Sequence, residues 1–229
     1  MTESTHNTRP SPFEATVVAA YGRRFEVRDA AGQHHEARPQ GRKQSVVCGD
    51  RVRCQHDPQH DELAIEAVLP RQTLLARANL RGDSEAVAAN LTQLLVVLAP
   101  QPAPDLFVLD RYLCAATSAG MRGHIIVNKS DLDGDALPAA DAAAFEAAGY
   151  TISRCSASTA AGLDGLRRVL GGETSALVGQ SGVGKSSLVA ALLPHEEVTT
   201  GTLTTSTEGR HTTTASRMYY LTTDSRLID

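Results

Sequence analysis

The C-terminal third of the chain contains the stretch Gly179-Gln180-Ser181-Gly182-Val183-Gly184-Lys185-Ser186. It fits the pattern G-x-x-x-x-G-K-[ST], with an apolar run before it (residues 176–178) and a helical pattern after it (residues 188–193). Glycines let the backbone approach an anion closely, and a helix N-terminus attracts negative charge. The stretch therefore predicts a phosphate-binding loop between a strand and a helix.

Two side chains of this loop have distinct predicted roles. Lys185 is expected to reach the β and γ phosphates of a nucleotide, and the Ser186 hydroxyl to ligate the Mg²⁺ that bridges them. The other nucleotide contacts should come from residues 179–187, which include Ser187. A Gly/Ser-rich turn with a chance lysine is the alternative, but the flanking strand and helix favour the phosphate loop.

A second motif, Asn128-Lys129-Ser130-Asp131, directly follows the apolar run of residues 123–127. It matches the N-K-x-D element by which GTPases read guanine, because an Asp131 carboxylate can accept from both the N1–H and the N2–H of that base. Lys129 would lay its aliphatic stem over the base, and Asn128 would tie this loop to the phosphate loop. Farther along, Ser156-Ala157 resembles the S-A element whose backbone amide contacts guanine O6.

The order of these motifs differs from that of ordinary GTPases, in which the phosphate loop precedes the N-K-x-D element. From residue 88 onward the chain alternates between apolar runs and helical patterns, which is typical of a mostly parallel sheet covered by helices. A parallel sheet tolerates circular permutation when the original termini lie close together. We therefore predict a circularly permuted α/β P-loop GTPase domain over residues 78–229.

Residues 13–77 have a different pattern, in which short alternating runs are separated by Gly, Asp and Pro turn signals. This pattern predicts strands over residues 15–18, 24–28, 45–47, 51–54 and 64–69. Such a series of short strands indicates a small closed barrel of the oligonucleotide-binding (OB-fold) type. Residues 1–12 are expected to form a flexible tail, and residues 71–85 a polar connector.

The predicted barrel carries two sets of candidate functional residues. Its basic residues could line a face toward RNA phosphate or form an ordinary solvated surface: Arg23, Arg24, Arg38, Arg42, Lys43, Arg51 and Arg53. A zinc site would require four residues to converge, namely Cys48, Cys54, His56 and His60. Because no C-x-x-C pair is present, the two cysteines are better interpreted as small core residues.

The composition narrows the class of protein. The chain has 229 residues, a net charge of −4 and no polybasic tail. Its longest apolar run, residues 94–99, is too short to span a bilayer, and the polar N-terminus lacks the features of a signal peptide. The four cysteines show no disulfide-framework spacing. We therefore expect a cytoplasmic protein with neither a membrane nor DNA as its partner.

This motif order after a small barrel resembles the circularly permuted, ribosome small-subunit-dependent GTPase A (RsgA/YjeQ) family. The resemblance covers residues 13–229 and is most specific at residues 179–187 and at Gly209-Arg210-His211-Thr212-Thr213-Thr214. It implies a monomer that hydrolyses GTP to GDP and phosphate with Mg²⁺ during late maturation of the small ribosomal subunit. It also implies rRNA contact through the barrel and a catalytic role for His211 beside Lys185. A threonine of residues 212–214, of which we favour Thr213, is expected to ligate magnesium together with Ser186.

The resemblance also bears on the end of the sequence. Asp229 looks like the first residue of the D-x-P-G switch element of this family. We therefore expect the GTPase domain to be incomplete at its C-terminus and the family's C-terminal zinc domain to be absent. Zinc is expected only in that missing domain.

Two other classes of protein fit the sequence less well. A P-loop ATPase or kinase would share only the phosphate loop and would leave residues 128–131 and 156–157 unexplained. A purely RNA-binding module with nucleotide-controlled docking would not need an intact phosphate loop, and every residue of that loop is present.

Overall fold

The computed structural model describes residues 11–41, 44–57, 62–79, 81–193 and 216–229. These residues form strands and helices in the following order: β1 (Phe13–Tyr21), β2 (Arg24–Asp29), β3 (His34–Pro39), β4 (Arg51–Asp57), β5 (Glu62–Val68), β6 (Leu74–Ala78), β7 (Ser84–Ala89), β8 (Gln93–Leu98), α1 (Leu106–Ser118), β9 (Arg122–Val127), α2 (Ala139–Ala147), β10 (Thr151–Arg154), α3 (Leu163–Leu170), β11 (Thr174–Gly179), α4 (Lys185–Leu192), β12 (Ser216–Tyr220) and β13 (Arg226–Ile228).

The first five strands close into a barrel. Their order is β1-β2-β3-β5-β4, and β1 also pairs with β4, which completes the ring. All of these pairs are antiparallel except β3 with β5. Alternate residues of the strands fill the interior with a core that includes Val17, Val27, Val52 and Ile65. The closed five-stranded barrel is consistent with the OB-fold that we predicted.

Three details of the sequence-based prediction are wrong. Residues 45–47 do not form a strand, because the Val47 N–H donates to the Asp50 carboxylate (2.8 Å) rather than to a neighbouring strand. The missing strand is β3, whose polar side chains conceal it in the sequence although its backbone pairs with β2 and β5. The predicted polar connector at residues 71–85 instead contains β6 and the start of β7, which form an antiparallel hairpin.

The remaining strands form an α/β layer. Strands β10, β9, β8, β11 and β13 lie side by side and parallel, and β12 runs antiparallel to β13. All six residues of β8 are buried, because this strand is covered on both faces. Leu95 and Val97 pack with α3 and α4, whereas Val96 and Leu98 pack with α1 and α2.

The barrel and the α/β layer are joined into one continuous sheet. Strand β1 pairs with β12 through Ala19 opposite Arg217 and Ala20 opposite Ser216. A shared core lies beside this junction and combines Val18 and Cys48 of the barrel with residues of the α/β layer, including Leu94 and Met218. None of the helices in the described ranges is long and apolar enough to cross a membrane.

Gly49 shows how closely the barrel approaches the β6–β7 hairpin. It has a φ of +89°, and a Cβ placed on it would lie 2.1 Å from the Ala89 carbonyl oxygen at the end of β7. The Ala89 N–H also donates to the Cys48 carbonyl (3.0 Å), so the two backbones are in direct contact here. A side chain at position 49 would therefore push the hairpin away from the barrel.

We predict that Gly49→Ala destabilises the protein far more than Gly22→Ala. Both glycines have positive φ, but a Cβ at Gly22 would meet no atom within 4 Å. Gly22→Ala should therefore cost only the backbone strain, about 1–2 kcal/mol, whereas Gly49→Ala should cost at least about 3 kcal/mol. Urea unfolding of the two variants measures the difference. Equal losses would show that the hairpin moves freely relative to the barrel.

Candidate functional site

The phosphate-loop stretch lies between β11 and α4, at the carboxyl end of the parallel strands. Neighbouring atoms require glycine at two of its positions. A Cβ on Gly179 would lie 2.3 Å from the Val97 carbonyl oxygen, and a Cβ on Gly184 would lie 2.5 Å from Asn128 Nδ2. Both glycines also have positive φ, at +141° and +92°. The loop therefore packs tightly against β8 and against the N-K-x-D loop.

The Lys185 side chain folds back over its own loop. Its Nζ donates to the carbonyl oxygens of Gly179 (3.0 Å) and Gln180 (2.8 Å). Burial lowers the pKa of this ammonium group, and the negative charge of Asp229 opposes that effect. A lysine held in this way presents its positive charge at the mouth of the loop, where polyphosphate would lie.

Ser186, at the start of α4, lies close to a carboxylate that the sequence analysis did not include in the metal site. Its Oγ donates to Asp229 Oδ2 over 3.4 Å. Asp229 directly follows β13, and β13 pairs with β11, so the sheet order brings the two residues together. Hydroxyl and carboxylate oxygens are ligands that suit Mg²⁺. Ser181 and Ser187 are exposed on the same loop and helix.

Asn128 connects three loops. Its side chain is almost fully buried, at 1% exposure, directly after β9. The Nδ2 donates to the Val183 carbonyl of the phosphate loop (2.9 Å), and the Oδ1 accepts from the Ala157 N–H after β10 (3.2 Å). These bonds hold the N-K-x-D loop beside the phosphate loop. They also occupy the Ala157 N–H, which the sequence analysis assigned to the base.

Lys129 and Asp131 lie on the outer side of this junction. Lys129 has a φ of +56°, and its Nζ donates to the carbonyls of Gln101 (2.9 Å) and Gly182 (2.7 Å). Hydrogen bonds from Ser156 foremost, and also from Ser158, hold the pKa of Asp131 below its ordinary value. The exposed Asp131 carboxylate is therefore ionised at neutral pH and able to accept hydrogen bonds. Ser130 contributes its N–H to the Cys155 carbonyl (3.1 Å).

One segment beside the site was not among the site residues predicted from the sequence. Residues 100–105 connect β8 to α1 and contact both the phosphate loop and Lys129. Their contacts are made mainly by backbone groups, so the sequence contained no side-chain signal for them. Of the other predicted site residues, His211 and Thr213 lie outside the described residues.

The two cysteines of the barrel lie in different cores. Cys48 belongs to the core shared with the α/β layer, whereas Cys54 belongs to the barrel interior. Burial raises the pKa of these thiols to about 12 and about 11, so both stay protonated. His60 lies outside the described residues, and within those residues no group of three or more His, Cys, Asp or Glu could hold a metal ion.

Comparison with known proteins agrees with this arrangement. A family model described as RsgA GTPase matches residues 68–229. The small ribosomal subunit biogenesis GTPase RsgA of Neisseria gonorrhoeae (strain NCCP11945) is 40% identical over 226 residues, covering 96% of this chain and 72% of that relative. The protein of the same name from Nitrosomonas europaea is 41% identical over 218 residues, covering 93% of this chain and 68% of that relative.

Solved structures show the same architecture. YjeQ from Thermotoga maritima matches with a TM-score of 0.66 and 25% identity, covering 96% of this chain and 74% of that chain. YloQ, described as a circularly permuted GTPase, matches with a TM-score of 0.61, covering 99% of this chain and 73% of that chain. At 21% identity, the second match supports the fold alone.

We predict that Asn128→Ala destabilises the protein by about 2–4 kcal/mol. The substitution removes one buried and one partly buried hydrogen bond, and it leaves the Val183 carbonyl and the Ala157 N–H without this partner. Asn79→Ala is the matched control, because that asparagine accepts its bonds on an exposed turn, where water can replace it. The free energy of unfolding of the control, measured in urea, should fall by less than about 1 kcal/mol. Similar losses in the two variants would contradict a joining role for Asn128.

Proposed function

The chain belongs to the RsgA GTPase family and is a GTP-hydrolysing enzyme, and we propose that it acts in biogenesis of the small ribosomal subunit. The observation that supports this proposal is the likeness to small ribosomal subunit biogenesis GTPases, one of which is 40% identical over 96% of this chain. The hydrogen bond from Asn128 to the Val183 carbonyl (2.9 Å) is consistent with it, because it joins the N-K-x-D stretch to the stretch with the phosphate-loop motif. We further propose that residues 78–229 are a P-loop GTPase domain and that the barrel of residues 13–77 is its RNA-binding unit. The hairpin β6–β7 spans this boundary.

The phosphate loop would bind the polyphosphate through backbone N–H groups, the α4 N-terminus and Lys185. The Ser186 hydroxyl and the Asp229 carboxylate, 3.4 Å apart, offer two hard oxygen donors that fit Mg²⁺. We propose Thr213 as a further ligand. When bound, Mg²⁺ neutralises charge on the β and γ phosphates. Zinc in a further C-terminal domain stays a prediction.

Hydrolysis to GDP and phosphate requires a water molecule oriented toward the γ-phosphate. We propose His211 for this role, in place of the glutamine that orients water in Ras-like enzymes. Lys185 would stabilise the negative charge that develops on the transferred phosphoryl group. We also propose that the protein is a cytoplasmic monomer and that neither DNA nor a membrane is its partner.

We predict that Asp131→Asn changes the base preference from guanine to xanthine nucleotides. The carboxylate accepts from N1–H and N2–H of guanine, whereas an amide can donate to the carbonyl that xanthine has instead. Loss of the charge-assisted pair should cost about 2–4 kcal/mol, or roughly 30- to 1000-fold in GDP affinity. Titrations with GDP, XDP and ADP measure the preference. Equal affinity of the unmodified protein for ADP and GDP would refute guanine recognition.

The barrel offers a specific surface for RNA. An open depression of about 400 Å³ lies where β2 and β3 meet the loop after β3, and its described lining includes Arg23, Arg24 and Arg38 but no carboxylate. Arg24 pairs with Glu36 and Arg38 with Glu62, each at 3.2 Å between exposed side chains. Exposed ion pairs contribute little to stability, so these arginines can exchange their partners for phosphates. We propose that rRNA phosphates bind here.

We predict that replacing Arg23, Arg24 and Arg38 together with Gln weakens binding to the small subunit. Affinity for the small subunit falls as the salt concentration rises. Loss of three phosphate contacts should reduce the steepness of log affinity against log salt concentration by about 2–3. Affinity for GDP should not change. The control carries the same change of charge at three exposed arginines elsewhere, through Arg77→Gln, Arg81→Gln and Arg111→Gln. Equal binding by both triple variants across a salt series would assign the depression to ordinary solvated surface.

A further inference from the structure

We infer that Gln180 is a positioning residue that acts through Lys185, by fixing the loop carbonyl that holds the Lys185 ammonium group. This inference rests on the proposed function, in which Lys185 contacts the β and γ phosphates. Position 180 is a variable position of the G-x-x-x-x-G-K-[ST] pattern, so the motif itself gives its side chain no role.

Both polar atoms of the Gln180 side-chain amide form hydrogen bonds with the segment between β8 and α1. Its Nε2 donates to the Ala103 carbonyl (3.3 Å), and its Oε1 accepts from the Asp105 N–H (3.1 Å). The two partners are of opposite kinds, so only one orientation of the amide satisfies both. The side chain therefore anchors the start of the phosphate loop to residues 103–105.

This segment is itself held at several points, so it can serve as an anchor. Asp105 caps α1 by accepting from the N–H groups of Phe107 (3.0 Å) and Val108 (3.2 Å). Its prolines limit backbone rotation. Lys129 bonds the Gln101 carbonyl (2.9 Å), which connects the segment to the N-K-x-D loop.

The main chain of Gln180 transmits this anchoring to Lys185. The Gln180 carbonyl accepts from Lys185 Nζ at 2.8 Å, the shorter of the two bonds that hold the ammonium group. Gly179, directly before it, has a φ of +141°, a conformation open only to glycine. Gly182, two residues after it, also has a positive φ, of +82°. Because these glycines restrict the backbone little, the side-chain anchor is needed to fix the direction of the carbonyl.

A residue that acts through Lys185 should affect only ligands that Lys185 reaches. Gln180→Ala and Gln180→Met should each weaken GDP binding by about 10-fold and leave GMP binding unchanged, because GMP lacks the β-phosphate. Met keeps most of the side-chain volume but neither hydrogen bond. The unfolding midpoint should shift little, since the lost bonds lie at the surface.

The test is a double-mutant cycle on the full chain, with GDP and GMP titrations of the unmodified protein, Gln180→Ala, Gln180→Met, Lys185→Ala and the Gln180→Ala/Lys185→Ala pair. We expect Gln180→Ala to change GDP affinity less than 2-fold once Lys185 is absent. Three outcomes would overturn the inference about Gln180 without affecting the proposed function. They are a 10-fold effect of Gln180→Ala on GDP affinity in the Lys185→Ala variant, a loss of GMP affinity equal to the loss of GDP affinity, and unchanged GDP affinity in Gln180→Met. Unchanged GDP affinity in Lys185→Ala would overturn the phosphate assignment of the proposed function as well.

Discussion

Asn128 donates one hydrogen bond to the phosphate loop and accepts another from the loop after β10, and the relative placement of the three loops depends on this pair. The partners are 55 and 29 residues away in sequence. A buried amide that loses its partners costs free energy, so the loops are held in one arrangement. The same arrangement brings the N-K-x-D stretch, which includes Asp131, next to the loop that precedes Lys185.

The sheet order makes this junction possible. Strand β8 lies between β9 and β11, and its complete burial requires helices on both faces. The carboxyl ends of β9 and β11 therefore open at the same edge, where binding crevices of parallel sheets form. The motif order along the chain is permuted, but the crevice depends only on which strands are neighbours. This is why a permuted chain can present the same set of loops.

The barrel and the α/β layer are connected by direct contacts and not only through the chain. Backbone pairing of β1 with β12 and the stacking of Arg28 on the Tyr220 ring (4.2 Å) both cross the junction. Strand β12 is also the element that follows residues 194–215, which include His211 and Thr213. The strand that follows His211 and Thr213 along the chain is thus paired directly with the proposed RNA-binding unit.

The sequence by itself determined the local structure and the motifs that form within continuous stretches of the chain. Strand, glycine-rich turn and helix around residues 179–186 follow from local chemistry, as does the placement of Asn128-Lys129-Ser130-Asp131 after an apolar strand. Local pattern also indicated a small barrel, although it missed β3, whose polar side chains hide a strand held by backbone pairing. Only the tertiary structure decided the rest. The partners of Gln180, the approach of Asp229 to Ser186 and the hairpin of β6 and β7 depend on contacts between backbone groups or distant residues. Those contacts arise from strand order and packing, which a linear pattern of side chains does not encode.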